Sequence, residues 1–563
     1  MVCSAVLQLV WSPSAPRCFS CRHRAAAGMR SGTERTAREP GQHGEGMQMP
    51  PTTRGNAGTE ARTDAPLRVR VTESELPWHD PLRLYTGLLG ELGQQEVFLF
   101  ESLAGPERDR GPAVVGYGRL AEVCAFAGHI EVSGAPALCA ALLATAGEAG
   151  MTEDPAAPEG SPARRRFVDS GQVWDLMRRS QRLFDVASGR PRDTYAFGFL
   201  AGLGYEAAWH MDELPDRKTP ARGPDMTFTL FRDTVWYDPG AVHARHLTAH
   251  ADAFPAARVP DLGVLVEAAA PGVADGDGTC PEAPAPRSVR DSVARDTFLE
   301  WAGRCLEHIR VGDIYQIQIG HRIDIDTELT PVEVYRRLRS RNPSPYMYLV
   351  PRTGETLIGA SPELFFRTEG DEIVMRPIAG TTRQADTAEE NERRVKEMLA
   401  STKEQAEHVM LVDLCRNDIG RVCRPRSLSV ADLMTVEEYS HVFHLVSTVT
   451  GRLEPGADVW ESLCATFPAG TMTGAPKLRA MEIIDGIEHE PRGSYAGAVG
   501  LIDVRGWSSL ALCIRTIVHD GRTYSTQSSA GIVAESVPEA EWDETLAKMG
   551  AAYWALTGEE LLS

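Results

Sequence analysis

The sequence lacks an apolar run long enough to span a membrane. Its longest apolar stretches, such as ALCAALLATAG, reach about half of the ~18 residues that a membrane helix needs. No basic residue precedes the apolar segment VLQLVW near the N-terminus, and no clear cleavage site follows it, so a secretory signal is not expected. We therefore expect a cytoplasmic protein that does not contact a membrane.

Positive charge is also in short supply. The 563 residues contain 58 Lys and Arg against 78 Asp and Glu, which gives a formal net charge of -20 at pH 7. Nucleic acids and anionic membranes are bound by basic surfaces, so neither is an expected partner. An anionic small molecule would need cationic side chains that are gathered locally.

The cysteines do not form a recognisable metal-binding set. Cys18 and Cys21 lie close to His23, but no second pair of ligands follows to complete a four-ligand zinc site. The sequence therefore gives no reason to expect structural zinc.

Composition divides the chain into four segments. Residues 1–65 are rich in Gly, Arg, Thr and Pro and have almost no apolar periodicity, which predicts a disordered N-terminal tail. Residues 66–254 alternate like strands in VFLFES and TFTLFRDTVWYD and show helical spacing in SGQVWDLMRRSQRLFD, which predicts a smaller α+β N-terminal domain. Residues 255–293 are rich in Ala, Pro and Gly and predict a linker or a long loop. Residues 294–560 are densely patterned and predict a second domain.

This last segment predicts an α+β fold of packed, mostly antiparallel sheets with helices on their outer side. Strand-like runs such as YMYLVP, TLIGAS and YAGAVGLIDV mix with helical patterns at 296–310, 387–415, 475–487 and 538–556. Their order is not a regular βαβ alternation, which argues against a parallel sheet.

Two of the predicted helices carry acidic residues on one face. Glu404 and Glu407 are three positions apart, as are Glu541 and Glu544, and Lys548 follows four positions later. Like charges repel on a bare helix, whereas oxygen ligands suit Mg²⁺ or Ca²⁺. Each pattern alone is also typical of a solvated surface. Together they are compatible with an open Mg²⁺ site that a substrate completes.

Four further features could carry chemistry or could be structural. The segment FPAGTMTGAPKLRAMEIID lacks the spacing of a Walker loop and predicts a helix that starts near Pro476. SSAGIVAES is either a tight strand turn or a place where backbone amides approach a ligand. Arg515, in the alternating run LALCIRTIV, is a candidate carboxylate clamp or an edge arginine. His441 and His444 are each either a general acid or base or a packed histidine.

The ordered set of segments resembles the chorismate-utilising enzymes, and within them the anthranilate synthase component I group. The resemblance is strong over about 294–555 and weaker upstream, through FLFES and YAFGFLAGLGYEAAW. The matching segments are GDIYQIQIGHR, NPSPYMYL, IGASPELFF, RPIAGTTR, EHVMLVDLCRNDIGRV, SHVFHLVS, FPAGTMTGAPKLRAMEIID, GSYAGAVG and AGIVAESVPEAEWDETLAK.

This resemblance implies a reaction on chorismate, a small dicarboxylate, with Mg²⁺ bridging its ring carboxylate to glutamates. The implied metal-side residues are Glu404, Glu407 and Glu544. The implied substrate-binding residues are Ala379, Gly380, Tyr495, Arg515, Ala530, Gly531 and Lys548. The implied catalytic residues are Glu363 as the acid, His444 for a later elimination, and Gln316 and Thr381 in the ring pocket.

The source of the nucleophile follows from two positions. RPIAGTTR predicts a backbone turn suited to an anion, but Ala379 at its centre stands where attacking relatives have a lysine. Water-adding relatives have a lysine base at the position that matches Gln316, and a neutral glutamine cannot deprotonate water. Ammonia needs no such base. The implied reaction is therefore amination at C2 to 2-amino-2-deoxyisochorismate while Glu363 protonates the departing C4 hydroxyl, followed by loss of pyruvate to give anthranilate.

The implied partners are an ammonia source and an inhibitor. None of the eleven cysteines stands in a glutaminase-like GxCxG elbow. The resemblance thus implies a separate glutamine amidotransferase subunit in a hetero-oligomer, or free ammonia in its place. Tryptophan inhibition is also implied, although Phe100 replaces the family's usual leucine. The residues that resemble the tryptophan site are Ser102, Asn342, Pro343, Ser344, Tyr346 and Met347.

Departures from the family pattern keep other functions open. Ala496 and Ser529 stand where glycines are usual, and TTRQAD is unlike the customary arginine-rich continuation. They leave room for an enzyme that stops at 2-amino-2-deoxyisochorismate, or for a 4-amino-4-deoxychorismate synthase. A non-catalytic regulator that binds chorismate or tryptophan is an alternative of another class. The presence of the implied acid and metal-side residues argues against it.

Overall fold

The computed structural model describes residues 66–155, 160–256, 261–271 and 280–562. The predicted N-terminal tail over 1–65 lies outside these residues, as do parts of the predicted linker at 257–260 and 272–279. The described residues form one compact unit. No helix among them is both long and apolar enough to cross a membrane.

The part of the chain up to residue 271 is built mainly of strands. Its strands are β1 Leu67–Pro77, β2 Val97–Glu101, β3 Ala113–Ala125, β4 His129–Gly134, β5 Thr152–Glu153, β6 Ala163–Arg166, β7 Phe184–Ala187, β8 Gly198–Leu203, β9 Met226–Tyr237 and β10 His243–His250. Its helices are α1 Pro81–Leu92, α2 Pro136–Glu148, α3 Gly171–Arg182 and α4 Leu262–Ala268.

The part from residue 280 onward mixes strands with longer helices. Its strands are β11 Ser288–Asp291, β12 Gln316–Asp326, β13 Tyr346–Arg352, β14 Glu355–Ser361, β15 Leu364–Glu369, β16 Glu372–Met375, β17 Ile378–Arg383, β18 Ser429–Glu438, β19 Val442–Arg452, β20 Gly474–Ala475, β21 Ala498–Asp503, β22 Ser508–Leu512, β23 Thr516–His519 and β24 Tyr524–Ile532. Its helices are α5 Arg295–Arg310, α6 Pro331–Arg341, α7 Ala388–Ala400, α8 Thr402–Gly420, α9 Val459–Thr466, α10 Lys477–Ile487 and α11 Pro538–Thr557.

The sheet continues across the predicted domain boundary. Strand β2 pairs with β13, with Met347 opposite Glu101, and β8 pairs with β21, with Ala498 opposite Leu203. Both pairings are antiparallel, as are those around the candidate site, whereas β1 and β7 run parallel. Two hydrophobic clusters likewise draw buried residues from both parts of the chain. The predicted α+β class with mostly antiparallel sheets is confirmed.

The helix predicted over 387–415 is divided in two. Ser401 has extended backbone angles, φ -69° and ψ 113°, and ends α7 while it caps α8. Its hydroxyl accepts a hydrogen bond from the backbone N–H of Glu404 at 3.2 Å. A serine cap satisfies an amide that has no partner within the helix, so Glu404 lies in the first turn of α8 rather than in mid-helix.

Candidate active site

The segment predicted as an anion-binding turn is a strand with a bulge. β17 pairs with β19, and the register shifts between Ala379 and Thr381. Gly380 lies at the shift with φ +64°, a region that favours glycine. A Cβ there would lie 2.9 Å from the Leu445 side chain and 3.1 Å from a Glu404 oxygen. The bulge therefore brings the backbone of the predicted ring pocket against Glu404, with Ala379 buried beside it.

His444 lies opposite Thr381 in the β17 and β19 pairing. Its Nδ1 is 2.9 Å from the Thr381 hydroxyl and 3.2 Å from the Gly380 carbonyl oxygen. A carbonyl oxygen can only accept, so the bond to Gly380 places the proton on Nδ1 and leaves Nε2 as the basic nitrogen. Burial lowers the pKa of His444 to about 4, and the charges of Arg515 and Lys548 also lower it. The imidazole is thus neutral near pH 7 and can accept a proton.

Glu363 is a buried carboxyl between β14 and β15. The Thr471 hydroxyl donates to its Oε1 at 3.3 Å. Burial raises the pKa of Glu363 to about 8, although the hydrogen bonds from Thr471 and the Ile378 backbone oppose the rise. Glu363 is therefore mostly protonated near pH 7, which is the state that a general acid requires.

The glutamates predicted from two helices influence one another. Burial raises the pKa of the Glu407 carboxyl on α8, and the charges of Glu404 and Glu544 raise it further. Burial also raises the pKa of Glu404, with a further rise from Glu544 on α11. The structure thus brings together acidic residues that are more than 130 positions apart in the chain.

Glu541 belongs to the same acidic group, although the family resemblance implied only Glu544 from this helix. It is 5% exposed. Burial raises the pKa of its carboxyl, and the charge of Glu544 adds to the rise. The three-residue spacing from Glu544 was the signal that could have identified it.

The oxygen donors suit Mg²⁺, but they do not form a preassembled cage. No three His, Cys, Asp or Glu side chains of the described residues already enclose a metal position. Glu544 is paired with Lys548 at 2.6 Å, and Glu407 accepts a hydrogen bond from the Gln316 amide at 3.1 Å. Carboxylates this close, with the pKa values of Glu404 and Glu407 raised by burial and by the neighbouring negative charges, fit a divalent cation whose shell is completed by water and substrate oxygens.

Gln316 is fixed beside these carboxylates. It lies at the start of β12 and is 1% exposed. Its Nε2 donates to Glu407, and its buried Oε1 has no hydrogen-bond partner among the described residues. A Cβ on Gly531 of β24 would lie 3.1 Å from the Gln316 Nε2 and 2.9 Å from the Gln318 Nε2. The glycine therefore leaves space where β12 and β24 face the site.

The cationic side of the site is formed by Arg515 and Lys548. Arg515 was predicted on a strand, but it lies between β22 and β23 with φ +51°. Its guanidinium is half-buried and donates to the Lys548 carbonyl oxygen at 2.7 Å. The Lys548 ammonium donates to the carbonyl oxygen of Ser529, next to Ala530, at 2.9 Å. Two cations are thus held near one wall, as binding of a dianion requires.

A hydrogen-bonded chain links Tyr495 to this wall. The Tyr495 hydroxyl donates to the Ser529 hydroxyl at 2.7 Å, and Ser529 donates to Gln318 Oε1 at 2.8 Å. Burial raises the pKa of Tyr495 to about 12. The next residue, Ala496, is buried with φ +60°, a conformation that costs a non-glycine residue about 1–2 kcal/mol. Both departures from the expected glycines therefore lie beside Tyr495, Ser529 as its hydrogen-bond partner and Ala496 as its neighbour in the chain.

The predicted tryptophan residues form a separate cluster where β2 meets β13. The backbone N–H of Leu103 donates to the Ser344 carbonyl oxygen at 3.1 Å, and the Ser102 hydroxyl accepts from the Gly111 N–H at 3.1 Å. The Tyr346 hydroxyl donates to Asp109 at 3.2 Å. The structure brings the two predicted segments together, and tryptophan binding by them stays a prediction. The other residues of this cluster are Asn342, Pro343 and Met347.

Comparison with known proteins follows this geometry. Residues 144–553 match the model of the chorismate binding enzyme family. The chain is a chorismate-binding enzyme. A 2-amino-4-deoxychorismate synthase of Streptomyces globisporus is 46% identical over 88% of this chain and 98% of its own length. The anthranilate synthase component 1 of Streptomyces coelicolor is 42% identical over 64% of this chain and 73% of its own length.

Solved structures of chorismate-binding enzymes share the fold. Anthranilate synthase component I of Streptococcus pneumoniae superposes with a TM-score of 0.61 and 27% identity, covering 78% of this chain and 92% of that one. The menaquinone-specific isochorismate synthase of Escherichia coli gives a TM-score of 0.60 at 15% identity, over 87% of this chain and 95% of that one, and it supports the fold alone.

Proposed function

We propose that this chorismate-binding enzyme aminates chorismate at C2 with ammonia and releases 2-amino-4-deoxychorismate. This product carries an amino group at C2 and has lost the C4 hydroxyl, so it is the compound also written 2-amino-2-deoxyisochorismate. The observation that supports it most is the match over almost the whole length of a synthase of that name. The site geometry is compatible with each step.

The chain supplies an acid for the leaving group and has Gln316 where water-adding relatives have a lysine base. Glu363, with a pKa of about 8, would donate its proton to the C4 hydroxyl, which leaves as water. The ring double bond shifts as ammonia forms the new bond at C2, and the nitrogen then loses one proton. Ala379 cannot attack and Gln316 cannot deprotonate water, so ammonia is the nucleophile that the site accommodates.

The remaining side chains would bind and orient the substrate. Arg515 and Lys548 would hold the enolpyruvyl carboxylate, with Tyr495 and the backbone near Ala530 and Gly531. Glu407 and Glu544, with Glu404 nearby, would hold Mg²⁺ against the ring carboxylate. The ion would offset negative charge on that carboxylate during substitution.

Anthranilate synthase component I activity is the second candidate, and His444 favours it. Its neutral imidazole, with Nε2 as the basic nitrogen, is suited to remove the C2 proton of the aminated intermediate. The C3–O bond would then break, and pyruvate would leave with the enolpyruvyl carbons. Product identity separates this candidate from the first, because only elimination gives an aromatic ring.

We also propose that a separate glutamine amidotransferase delivers the ammonia. None of the cysteines lies in a glutaminase-like elbow, so the chain alone should use ammonium salts but not glutamine. Addition of a glutaminase subunit should then make turnover glutamine-dependent.

The test is a product assay with the purified chain, chorismate, Mg²⁺ and ammonium chloride. Mass spectrometry should find a non-aromatic product in which an amino group has replaced a hydroxyl, and NMR should place that group at C2. Anthranilate would favour the second candidate, and an amino group at C4 would indicate 4-amino-4-deoxychorismate synthesis. Binding of chorismate without any turnover would overturn both candidates in favour of a regulator.

A further inference from the structure

A loop from the N-terminal part of the chain contacts residues that flank the strands of the candidate active site. It connects β2 to β3, and its short 3₁₀ helix Glu107–Asp109 buries Asp109, which is 7% exposed. The Asp109 carboxylate pairs with the guanidinium of Arg376. It also accepts hydrogen bonds from the Tyr346 hydroxyl at 3.2 Å and the Tyr439 hydroxyl at 3.4 Å.

Arg376 stands directly before the strand that lines the ring pocket. Only Pro377 separates it from β17, which carries Ala379 and the Gly380 bulge. Its guanidinium also donates to Glu437 of β18 at 2.5 Å and to the Thr448 hydroxyl of β19 at 3.4 Å. Arg376 therefore fastens the entry of β17 to its partner strand β19 and to β18, which pairs with β19, and Asp109 supplies a contact from outside these strands.

Tyr439 connects the same carboxylate to the imidazole. Its ring packs edge-on against His444, with ring centroids 5.0 Å apart and planes at 76°. Tyr439 lies in the turn between β18 and β19, where its N–H donates to the Val442 carbonyl oxygen at 2.9 Å. Since Asp109 holds the Tyr439 hydroxyl, the carboxylate restrains the ring that packs against His444.

We propose that Asp109 is a positioning residue for the reaction, which acts by holding Arg376 at the entry of β17 and Tyr439 against His444. This inference rests on the proposed function, because β17, with His444 bonded to its Gly380 and Thr381, must shape the ring pocket during turnover. Asp109 itself contacts neither Glu363 nor the acidic group on α8 and α11 among the interactions described. Its removal should therefore disturb the turnover of bound chorismate more than the binding of chorismate.

The test compares Asp109→Asn with Tyr439→Phe and with the double variant. Asp109→Asn keeps the size of the side chain but removes the charge that faces Arg376, which retains its bond to Glu437. Misplacement of reacting groups by a fraction of an ångström slows catalysis, so we expect kcat to fall about tenfold while KM for chorismate stays within about twofold. Tyr439→Phe should lower kcat about threefold. In the double variant kcat should fall no more than about tenfold, because both changes break the same hydrogen bond between Tyr439 and Asp109.

Asp225→Asn is the matched control. Asp225 is another buried carboxylate, paired with Arg217 at 2.6 Å and His210 at 2.7 Å, and none of these residues belongs to the candidate site. We expect this variant to lower the melting temperature as Asp109→Asn does, but to leave kcat within about twofold. A tenfold fall of kcat in the control would show that loss of any buried ion pair is sufficient, and would overturn the positioning role.

A second readout separates this inference from the proposed function. The imidazole NMR signals of His444, assigned by their loss in His444→Gln, should shift in Asp109→Asn and Tyr439→Phe and stay unchanged in Asp225→Asn. This measurement does not need turnover, so a wild-type chain that fails to aminate chorismate would contradict only the proposed function. Unchanged His444 signals in Asp109→Asn, or kcat losses that multiply in the double variant, would overturn the positioning role.

Discussion

Two buried glutamates of this enzyme differ in what surrounds them. Glu101, where β2 meets β13, is 3% exposed and accepts two hydrogen bonds from Arg339 at 3.0 Å and one from Tyr335 at 2.7 Å. Glu363, in the candidate active site, is 7% exposed and accepts from the neutral Thr471 side chain and from a backbone amide. A buried carboxyl with a cationic partner holds the structure together, whereas one with neutral partners keeps a proton that it can donate.

Replacement of Glu363, the proposed acid, should give the largest effect. Glu363→Gln keeps the size and the Thr471 contact but cannot protonate the C4 hydroxyl. Loss of a general acid typically costs 10²–10⁴-fold, so we expect kcat to fall about 10³-fold with little change in KM for chorismate. Steady-state kinetics with ammonium chloride measure this, and a loss below tenfold would show that Glu363 is not the acid.

Substitution in the acidic group on α8 and α11 should change the Mg²⁺ requirement of the enzyme. Glu407→Gln removes a carboxylate whose pKa is raised by burial and by the charges of Glu404 and Glu544. We expect the Mg²⁺ concentration for half-maximal activity to rise at least tenfold and kcat/KM for chorismate to fall about 10²-fold. Titration of activity with Mg²⁺ measures both. An unchanged Mg²⁺ requirement would place the ion elsewhere.

Replacement of Glu101 should lower stability and leave activity almost unchanged. Glu101→Gln removes the charge that Arg339 faces, and a broken ion pair with one buried member should cost roughly 2 kcal/mol of unfolding free energy. Denaturant unfolding measures this cost. The folded variant should keep kcat within about twofold, so a large loss of kcat would remove the distinction between the two carboxyls.

The smallest expected effect is on the pH dependence of stability, and it distinguishes Glu363 from Glu101. The pKa of Glu363 is about 8 in the folded chain against an ordinary value of 4.5, so the folded state retains a proton that the unfolded state loses between these values. Stability due to this group is therefore complete below pH 4.5 and is lost as the pH rises towards 8.

Glu363→Gln escapes that loss because an amide does not ionise. Its melting temperature should exceed that of the wild type by about 3 °C at pH 9 and match it near pH 4.5. Thermal unfolding at the two pH values measures the difference. Glu101→Gln is the control, since it should be less stable than the wild type at both values. If the melting temperature of Glu363→Gln differed from that of the wild type by the same amount at both pH values, the raised pKa of Glu363 would be contradicted.

The sequence predicted which acidic residues come together, but not the local structure around them. Helical spacing placed Glu404 beside Glu407 and Glu541 beside Glu544, and the family resemblance chose Glu404, Glu407 and Glu544 among them. The bulge at Gly380 and the position of Arg515 between strands were not predicted. Both depend on the register with partner strands. Two helices and the strand β18 separate β17 from β19 in the chain, and the local pattern cannot position them.

The contact of Asp109 with Arg376 is a stronger example of what the local sequence pattern cannot predict. The run GPERDRGP has no periodicity, and nothing in it indicates a contact with Arg376, which lies more than 260 positions later. Glu541 was within reach of the sequence, since it stands three positions before Glu544. Its burial, and hence its place in the site, required the packing of α11 on β24 to be known.

The strands that join β2 to β13 and β8 to β21 bear on how this enzyme can be dissected. A fragment that began near residue 294 would leave β13 and β21 with unsatisfied edges and apolar faces, a combination that favours aggregation. Chimeras that exchange the amino-terminal half with that of a relative should therefore carry over the matching strand partners as well. A graft of the N-terminal part from a relative would have to be designed together with the strands β13 and β21 that pair with it.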